Sequence, residues 1–206
     1  MYFKKHKPII IIGTFILFLT LTVALISIFW PRYEERFFEF GLLGKDKLAE
    51  GYYPNDNSSL KLGSQINWHI YIHNHIGSFQ NVIVKVKLVN SMMDLPNDRD
   101  NEPSPFDPIA EFPLSLSVND TLFVPFSWSI VEAISQKNST ILKQLMVNDQ
   151  IVEVNVPASS NSFFRMVFEL WVYDQSSQTY TFGWESGQEL SSSSIHIAFR
   201  VTLPAD

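Results

Sequence analysis

The residues with the clearest chemical potential in this sequence are three histidines on one predicted strand. His69, His73 and His75 are separated from one another by even numbers of positions, so a strand places all three on one face. Two histidines separated by one residue lie about 6.6 Å apart along a strand, which allows them to share a metal ion. His73 and His75 are therefore candidate metal ligands, with a third ligand required from a neighbouring strand. The alternative, which we prefer, is a polar solvent-facing strand that binds no metal, and we expect no cofactor.

A second candidate is the acidic segment from Ser91 to Pro108, which is rich in proline, aspartate and asparagine and has no hydrophobic period. Oxygen-rich loops bind Ca²⁺, but the glycine and the terminal glutamate of an EF-hand loop are absent here. We therefore favour a solvated acidic loop over a calcium site. The carboxylates concerned are Asp94, Asp98, Asp100, Glu102 and Asp107.

Aromatic side chains predicted to face outward form a third candidate: Tyr71, Trp171, Tyr173 and Trp184. Such side chains mark partner or sugar surfaces, and they also cover sheets and pack beneath loops, which we favour here. The sequence contains no nucleophile elbow, phosphate loop, His-Glu-x-x-His motif or dinucleotide fingerprint. We therefore do not expect an enzyme.

These residues lie on strands predicted by alternation of apolar and polar positions. Gln65 to Ile76 alternates throughout, and Gln80 to Val89 follows closely enough to predict a hairpin. About eight to ten such strands predict a mainly β fold, an antiparallel two-sheet sandwich of immunoglobulin-like plan. A closed barrel is the alternative, but Pro113 and Pro125 cannot donate to a ladder and predict free edges.

Three local predictions are specific enough to test. Leu48 to Tyr53 is predicted as a short strand, and Phe168 and Glu169 as inward and outward neighbours on one strand. Residues 131–147 are ambiguous. The apolar spacing there favours a short helix slightly over a hairpin that pairs with Gln150 to Val156 across Asn148-Asp149.

The elements after residue 30 follow an uncharged stretch, Pro8 to Trp30. A helix of this length measures about 34 Å, enough to cross a hydrocarbon core with some tilt. A cleaved signal peptide is less consistent, because bulky Phe29 and Trp30 stand where a peptidase requires small residues. We therefore predict two parts: residues 1–30, a tail and transmembrane helix, and residues 31–206, an extracytoplasmic β-sandwich.

Charge supports this orientation. Lys4, Lys5 and Lys7 precede the stretch, which favours a cytoplasmic N-terminus in the cell membrane. Twelve basic and 21 acidic residues follow residue 30, a formal net charge of −9, which excludes nucleic acid as a natural partner. No cysteine occurs, so there is no disulfide framework, and Asn-x-Ser/Thr sequons begin at Asn57, Asn119 and Asn138.

Three stretches carry a family resemblance: residues 37–54, 60–88 and 164–175. They resemble the archaeal membrane-protein family catalogued as "domain of unknown function 1616", in which a membrane segment precedes a β-rich outer domain. The resemblance implies this fold and topology and no activity. Ile76 departs from the family, which has an acidic residue after the Asn-His step. The matching positions are Glu39, Phe40, Leu43, Gly44, Tyr53, Pro54, Gly63, Asn74 and His75.

Together these features predict a single-pass protein that contacts the lipid bilayer through its N-terminal helix. Its outer β-sandwich is expected to act as a binding, assembly or cell-envelope module, with a protein partner in the membrane or envelope. The alternative function is a membrane-anchored metal-binding or redox accessory protein that uses His73 and His75.

Overall fold

The computed structural model describes residues 7–29, 36–159, 163–183, 185–186, 189–190 and 193–203. The chain divides into two compact units, Met1–Glu34 and Glu35–Asp206.

The first unit contains helix α1 (Lys7–Phe29). Pro8 lies in its first turn, where backbone N–H groups have no partner within the helix, so the missing N–H of proline costs no hydrogen bond. The hydroxyls of Thr20 and Thr22 bond to the carbonyls of Leu17 and Phe18, so the helix satisfies them internally. The large apolar side chains from Ile12 to Ile26 are exposed.

Within the described parts of the chain, we find no helix with both the length and the apolar character needed to cross a membrane. The proposed span from Pro8 to Trp30 therefore stays a prediction, and Trp30 lies outside the described residues.

The second unit is a two-sheet β-sandwich. The first sheet has five strands in the order β1-β3-β6-β7-β8, and every neighbouring pair in it is antiparallel. Its strands are β1 (Phe38–Leu43), β3 (Ile66–Asn74), β6 (Thr121–Gln136), β7 (Ser139–Val147) and β8 (Gln150–Ser159).

The second sheet has six strands, in the order β2-β13-β9-β4-β5 with β10 also paired to β9. The β2–β13 pair is parallel, and the other pairs are antiparallel. Its strands are β2 (Ser59–Lys61), β4 (Gln80–Asn90), β5 (Ala110–Leu116), β9 (Phe164–Asp174), β10 (Thr179–Phe182) and β13 (Ser194–Thr202). A separate pair joins β11 (Glu185–Ser186) to β12 (Glu189–Leu190).

One hydrophobic core lies between the two sheets, as the alternation predicts. Phe168 on β9 is fully buried, with ring centroids 6.1 Å from Trp68 and 5.3 Å from Phe126 on the first sheet. These edge-to-face contacts across the sandwich are favourable aromatic geometry. The prediction that Phe168 points inward is confirmed.

Two strand prolines lie at positions where no backbone N–H is needed to pair with a neighbouring strand. Pro113 is on β5, an edge strand of the second sheet. Pro125 is on β6 opposite His69 of β3, in a part of β6 that precedes its pairing with β7. Both positions match the predicted free edges.

Residues 131–147 form strands, so the predicted helix is wrong and the hairpin alternative is right. β7 pairs with β6 and β8, and the β7–β8 turn is Asn148-Asp149 with positive φ at both residues. In the β6–β7 pair a β-bulge adds one residue to β7 between Leu142 and Gln144, and in the β7–β8 pair the extra residue opposite this segment lies on β8. Buried Leu142 and Leu145 are therefore three residues apart, a spacing that mimics a helix.

Two further predictions are wrong. β3 and β4 do not form a hairpin, because β3 belongs to the first sheet and β4 to the second. Leu48 to Tyr53 forms no strand but bends and irregular backbone that precede a short 3-10 helix, Pro54–Asp56. The Tyr52 hydroxyl in this segment donates a hydrogen bond to the Leu42 carbonyl. A side chain, and not the predicted strand, therefore covers this part of the edge of β1.

Candidate functional sites

The first candidate site is a polar group on the outer face of the first sheet, here called the histidine cluster. Its members come from three neighbouring strands and the loop after β3: Glu39, Tyr71, His73, His75 and Thr121. Glu39 is directly opposite His73 in the β1–β3 register, and Thr121 is opposite His73 in the β3–β6 register. Strand pairing thus brings together residues that are far apart in sequence.

Glu39 is the centre of the histidine cluster. One carboxylate oxygen accepts the Tyr71 hydroxyl at 2.6 Å, and the other is 2.8 Å from His75 Nε2. The Tyr71 hydrogen bond, followed by the one to His75, lowers the pKa of Glu39 below its ordinary value. The same Glu39 carboxylate raises the pKa of Tyr71 to about 12.

The two candidate metal ligands lie side by side. The rings of His73 and His75 are 4.0 Å apart between centroids, and His73 Nδ1 is 2.6 Å from the Thr121 hydroxyl. Phe37 stacks on His75 at 4.4 Å. His69 lies apart from them, with its Nδ1 3.2 Å from the Gly44 carbonyl.

Among the described residues, no group of three or more His, Asp or Glu side chains is arranged to hold a metal ion. His73 and His75 therefore stay candidate ligands by prediction only, and the Glu39 carboxylate on the neighbouring strand lies 2.8 Å from His75 Nε2. In the acidic loop, Asp100 accepts a hydrogen bond from the Asn97 side chain, which lies next to an isolated Asn97–Glu102 bridge.

The second candidate site is a buried ion pair on the outer face of the second sheet. Lys87 Nζ is 2.8 Å from Glu169 Oε2, and both side chains are almost completely buried. The Ser104 backbone N–H donates to Glu169 Oε1 at 2.8 Å, and Lys87 donates to the Ser104 carbonyl. Trp171 Nε1 adds a further bond to Glu169 at 3.0 Å. The pair is therefore fully hydrogen-bonded, as buried charges require.

Glu169 points outward from the sheet as predicted, but it is buried and not solvated, because the acidic loop covers this face of the sheet. Besides Ser104, Asn101 lies over Gly183, where an added Cβ would meet Asn101 Oδ1 at 2.4 Å. Gly183 also has φ +77°, a conformation that other residues rarely adopt. The segment from Ser91 to Pro108 is thus fixed at both points to the second sheet.

The outward aromatic residues that are described have intramolecular partners. Lys85 Nζ is 3.8 Å from the Trp171 ring centroid, and Tyr173 packs edge-on against Tyr180 at 5.2 Å. Tyr71 packs against Phe123 at 5.4 Å. These contacts favour the packing interpretation, while Trp184 lies outside the described residues.

The sequence gives little warning of the role of Asn74, a buried polar residue with several side-chain hydrogen bonds. Its buried amide donates to the carbonyls of Ser78, Leu116 and Ser117 at 2.8, 3.4 and 3.0 Å. Its Oδ1 accepts the Ile76 N–H at 2.9 Å. Asn74 thereby ties together the two loops that cross between the sheets, β3–β4 and β5–β6. The only sequence signal is its place in the Asn-His step of the resemblance.

The geometry defines a two-sheet β-sandwich with a polar cluster on each outer face. No family model matches the chain, and no curated protein matches it. The resemblance to the family of unknown function therefore stays a prediction.

Solved structures give weak likenesses. One is the CARDB domain of the PF1109 protein in complex with di-metal ions from Pyrococcus furiosus, with 8% identity and a TM-score of 0.40 over 82% of this chain and 91% of that chain. Another is a mutant β-glucosidase from Listeria innocua in complex with laminaribiose, with 12% identity and a TM-score of 0.36. That match covers 81% of this chain but only 16% of the β-glucosidase chain. At these TM-scores neither likeness supports an inference about this chain.

Proposed function

We propose that this protein is held in the cell membrane by a single N-terminal helix and carries an immunoglobulin-like β-sandwich outside the cytoplasm. The sandwich acts as a binding, assembly or cell-envelope module. The observation that carries this proposal is the absence of any charged residue from Pro8 to Trp30, directly before an acidic β domain.

Two features support the anchor. The helix satisfies its threonine hydroxyls through its own carbonyls, which suits a hydrocarbon environment where water is absent. Its large apolar side chains are exposed, up to 69% for Phe18, and a bilayer would cover them. The lysines before the helix support an N-terminus in the cytoplasm.

Two features support a binding or assembly module. The clusters on the outer faces consist of hydrogen bonds and ion pairs that link strands and loops. The formal charge of −9 after residue 30 suits a basic partner or counter-cations.

The test is protease treatment of intact cells or spheroplasts. Because the sandwich is proposed to lie outside, protease should digest residues beyond about 31 without lysis, in line with the charge rule. Protection of the sandwich until the cells are lysed would overturn the proposed orientation.

The second candidate is a membrane-anchored metal-binding accessory protein. It is favoured by one observation, the 4.0 Å separation of the His73 and His75 rings beside the Glu39 carboxylate. Thermal unfolding with EDTA and with added Zn²⁺ tests it, since a metal that binds the folded state raises the midpoint. A rise in the wild type that is absent from His73→Ala/His75→Ala would favour this function over the first.

A further inference from the structure

The three Asn-x-Ser/Thr sequons all lie within described segments, and their asparagines are all exposed in turns or loops. A transferase that glycosylates asparagine must reach both the side-chain amide and the hydroxyl two residues later. Exposure alone therefore does not separate the three sequons. The hydrogen bonds of these two groups do.

The sequon at Asn119 is engaged in the fold. Asn119 donates its backbone N–H to the Asn74 carbonyl at 3.0 Å, and its φ is +61°. The hydroxyl of Thr121, the third sequon residue, is 2.6 Å from His73 Nδ1 in the histidine cluster. The hydroxyl that a transferase requires is therefore held by the folded domain.

The sequon at Asn57 is partly engaged. Asn57 Oδ1 accepts the Ser59 N–H at 2.9 Å, which folds the sequon back on itself in an Asx turn. Ser59 also begins β2, which pairs with Arg200 of β13. Thr140 of the third sequon is also paired in a sheet, so the Asx turn at Asn57 is the feature that sets this sequon apart.

The sequon at Asn138 differs from both. Lys137 and Asn138 form the tip of the β6–β7 hairpin, between Gln136 and Ser139, and both tip residues are exposed. Among the described contacts, neither the Asn138 amide nor the Thr140 hydroxyl has a hydrogen-bond partner. The hairpin tip presents an exposed Asn138 amide, and the half-buried Thr140 hydroxyl follows two residues later on β7.

We propose that Asn138 is the acceptor of an N-linked glycan and that His73 shields the Asn119 sequon. The inference rests on the proposed function, because the donor is an oligosaccharide linked to a polyprenyl phosphate or pyrophosphate on the outer side of the membrane. The Asn138 amide nitrogen forms a bond to the anomeric carbon, and the bond from that carbon to the phosphate oxygen breaks. The lipid phosphate leaves, and the amide gives up one proton to a transferase base.

The test is peptide mapping by mass spectrometry of the full-length protein, purified from membranes of the cells that naturally make it. The expected result is a glycan on the Asn138 peptide of most molecules and an unmodified Asn119 peptide. Asn138→Gln should remove the added mass and Asn119→Gln should leave it. Thr140→Ser should retain it, and Thr140→Val should abolish it.

A second variant tests the shielding. His73→Ala frees the Thr121 hydroxyl, so modification at Asn119 should rise above its wild-type level, while exposed Asn67→Ala should not change it. No rise in His73→Ala, or equal modification of Asn119 and Asn138 in the wild type, would overturn the shielding.

Protease treatment of the same cells separates the two possible failures. An unmodified Asn138 in a sandwich that external protease digests would overturn this inference and leave the proposed function standing. An unmodified Asn138 in a sandwich protected from protease would overturn both.

Discussion

Glu39 lies between Tyr71 and His75. One of its carboxylate oxygens accepts a hydrogen bond from the Tyr71 hydroxyl, and the other accepts one from His75 Nε2. Lys87 and Glu169 form a comparable arrangement on the opposite sheet, but there the charges are buried. The exposed Glu39 group is expected to act mainly on the pKa values of its members, since surface ion pairs contribute little to stability. The buried group is expected to influence stability, because an unpaired buried charge is costly.

The first prediction concerns Glu39→Gln. Removing the carboxylate should lower the pKa of Tyr71 from about 12 toward its ordinary value of 10.0, because the phenolate would no longer face a negative acceptor. The measurement is a spectrophotometric tyrosine titration, taken as the difference from Tyr71→Phe in each background. Glu153→Gln, an exposed glutamate on β8, is the control and should change nothing.

The same variant has an effect in acid. The folded pKa of Glu39 is below 4.5, so its carboxylate stabilises the folded state above pH 4.5 and this stability is lost as pH falls through the lower folded value. Glu39→Gln should therefore show a smaller loss of stability in that range than the wild type. An equal loss in both proteins would show that Glu39 is not the group responsible.

The second prediction concerns the buried ion pair. Lys87→Met should cost about 3–5 kcal/mol of unfolding free energy, because it leaves the Glu169 carboxylate buried without its cation. Lys87→Met/Glu169→Leu should cost clearly less. The measurement is a denaturant titration of each variant, with exposed Lys61→Met as the control. Equal costs for the single and double variants would contradict the ion-pair explanation.

At the scale of strands and loops, the third prediction concerns the junction formed by Asn74. Asn74→Ala removes the donor shared by three carbonyls and should destabilise the fold by at least about 2 kcal/mol, since buried acceptors lose their partner. Asn67→Ala, on an exposed position of the same strand, should cost under about 1 kcal/mol. Denaturant unfolding measures the free energy of unfolding of both variants. Equal losses would show that Asn74 does not hold the two loops together.

The fourth prediction concerns packing between the sheets. Phe168→Ala should cost about 3–5 kcal/mol, because the ring fills the core between Trp68 and Phe126. Glu153→Ala on the exposed face of β8 should cost under about 1 kcal/mol. If the two costs were similar in a denaturant titration, the assigned register of β9 would be wrong.

Alternation predicted the strands well wherever a strand has one apolar face and no bulge. β3 shows this best, since Ile66, Trp68, Ile70 and Ile72 are all buried. It failed where a bulge changed the period in β7, and where a distant loop covered the polar face of β9 around Glu169. Neither a bulge nor a long-range cover is encoded in local spacing.

The candidate site was predictable only in part, for the same reason. The shared face of His73 and His75 follows from period two. The contact of His75 with Glu39, by contrast, depends on β1 pairing with β3, and these two residues are 36 positions apart in the chain.

At the scale of the whole molecule, the fifth prediction concerns the anchor. Phe18→Arg/Leu19→Arg places two charges at the middle of the proposed span, where each costs about 2.5–3.5 kcal/mol on insertion scales. The wild-type protein should stay in the membrane pellet after an alkaline wash, and this variant should be released. Phe79→Arg, at an exposed site in the sandwich, is the matched control. Wild-type protein in the supernatant would contradict the anchor.

The parallel β2–β13 pair has a consequence for biogenesis. Ser59 to Lys61 finds its only strand partner among the described elements in β13, which includes Arg200 to Thr202 at the far end of the chain. Closing so distant a contact is slow, because a long loop must be ordered first. While the chain is being made, β9 also has an unpaired edge along the length that β13 later occupies. The nascent protein should therefore depend on a chaperone until its final strand arrives, and a chain that stops before Ser194 should be degraded rather than stored.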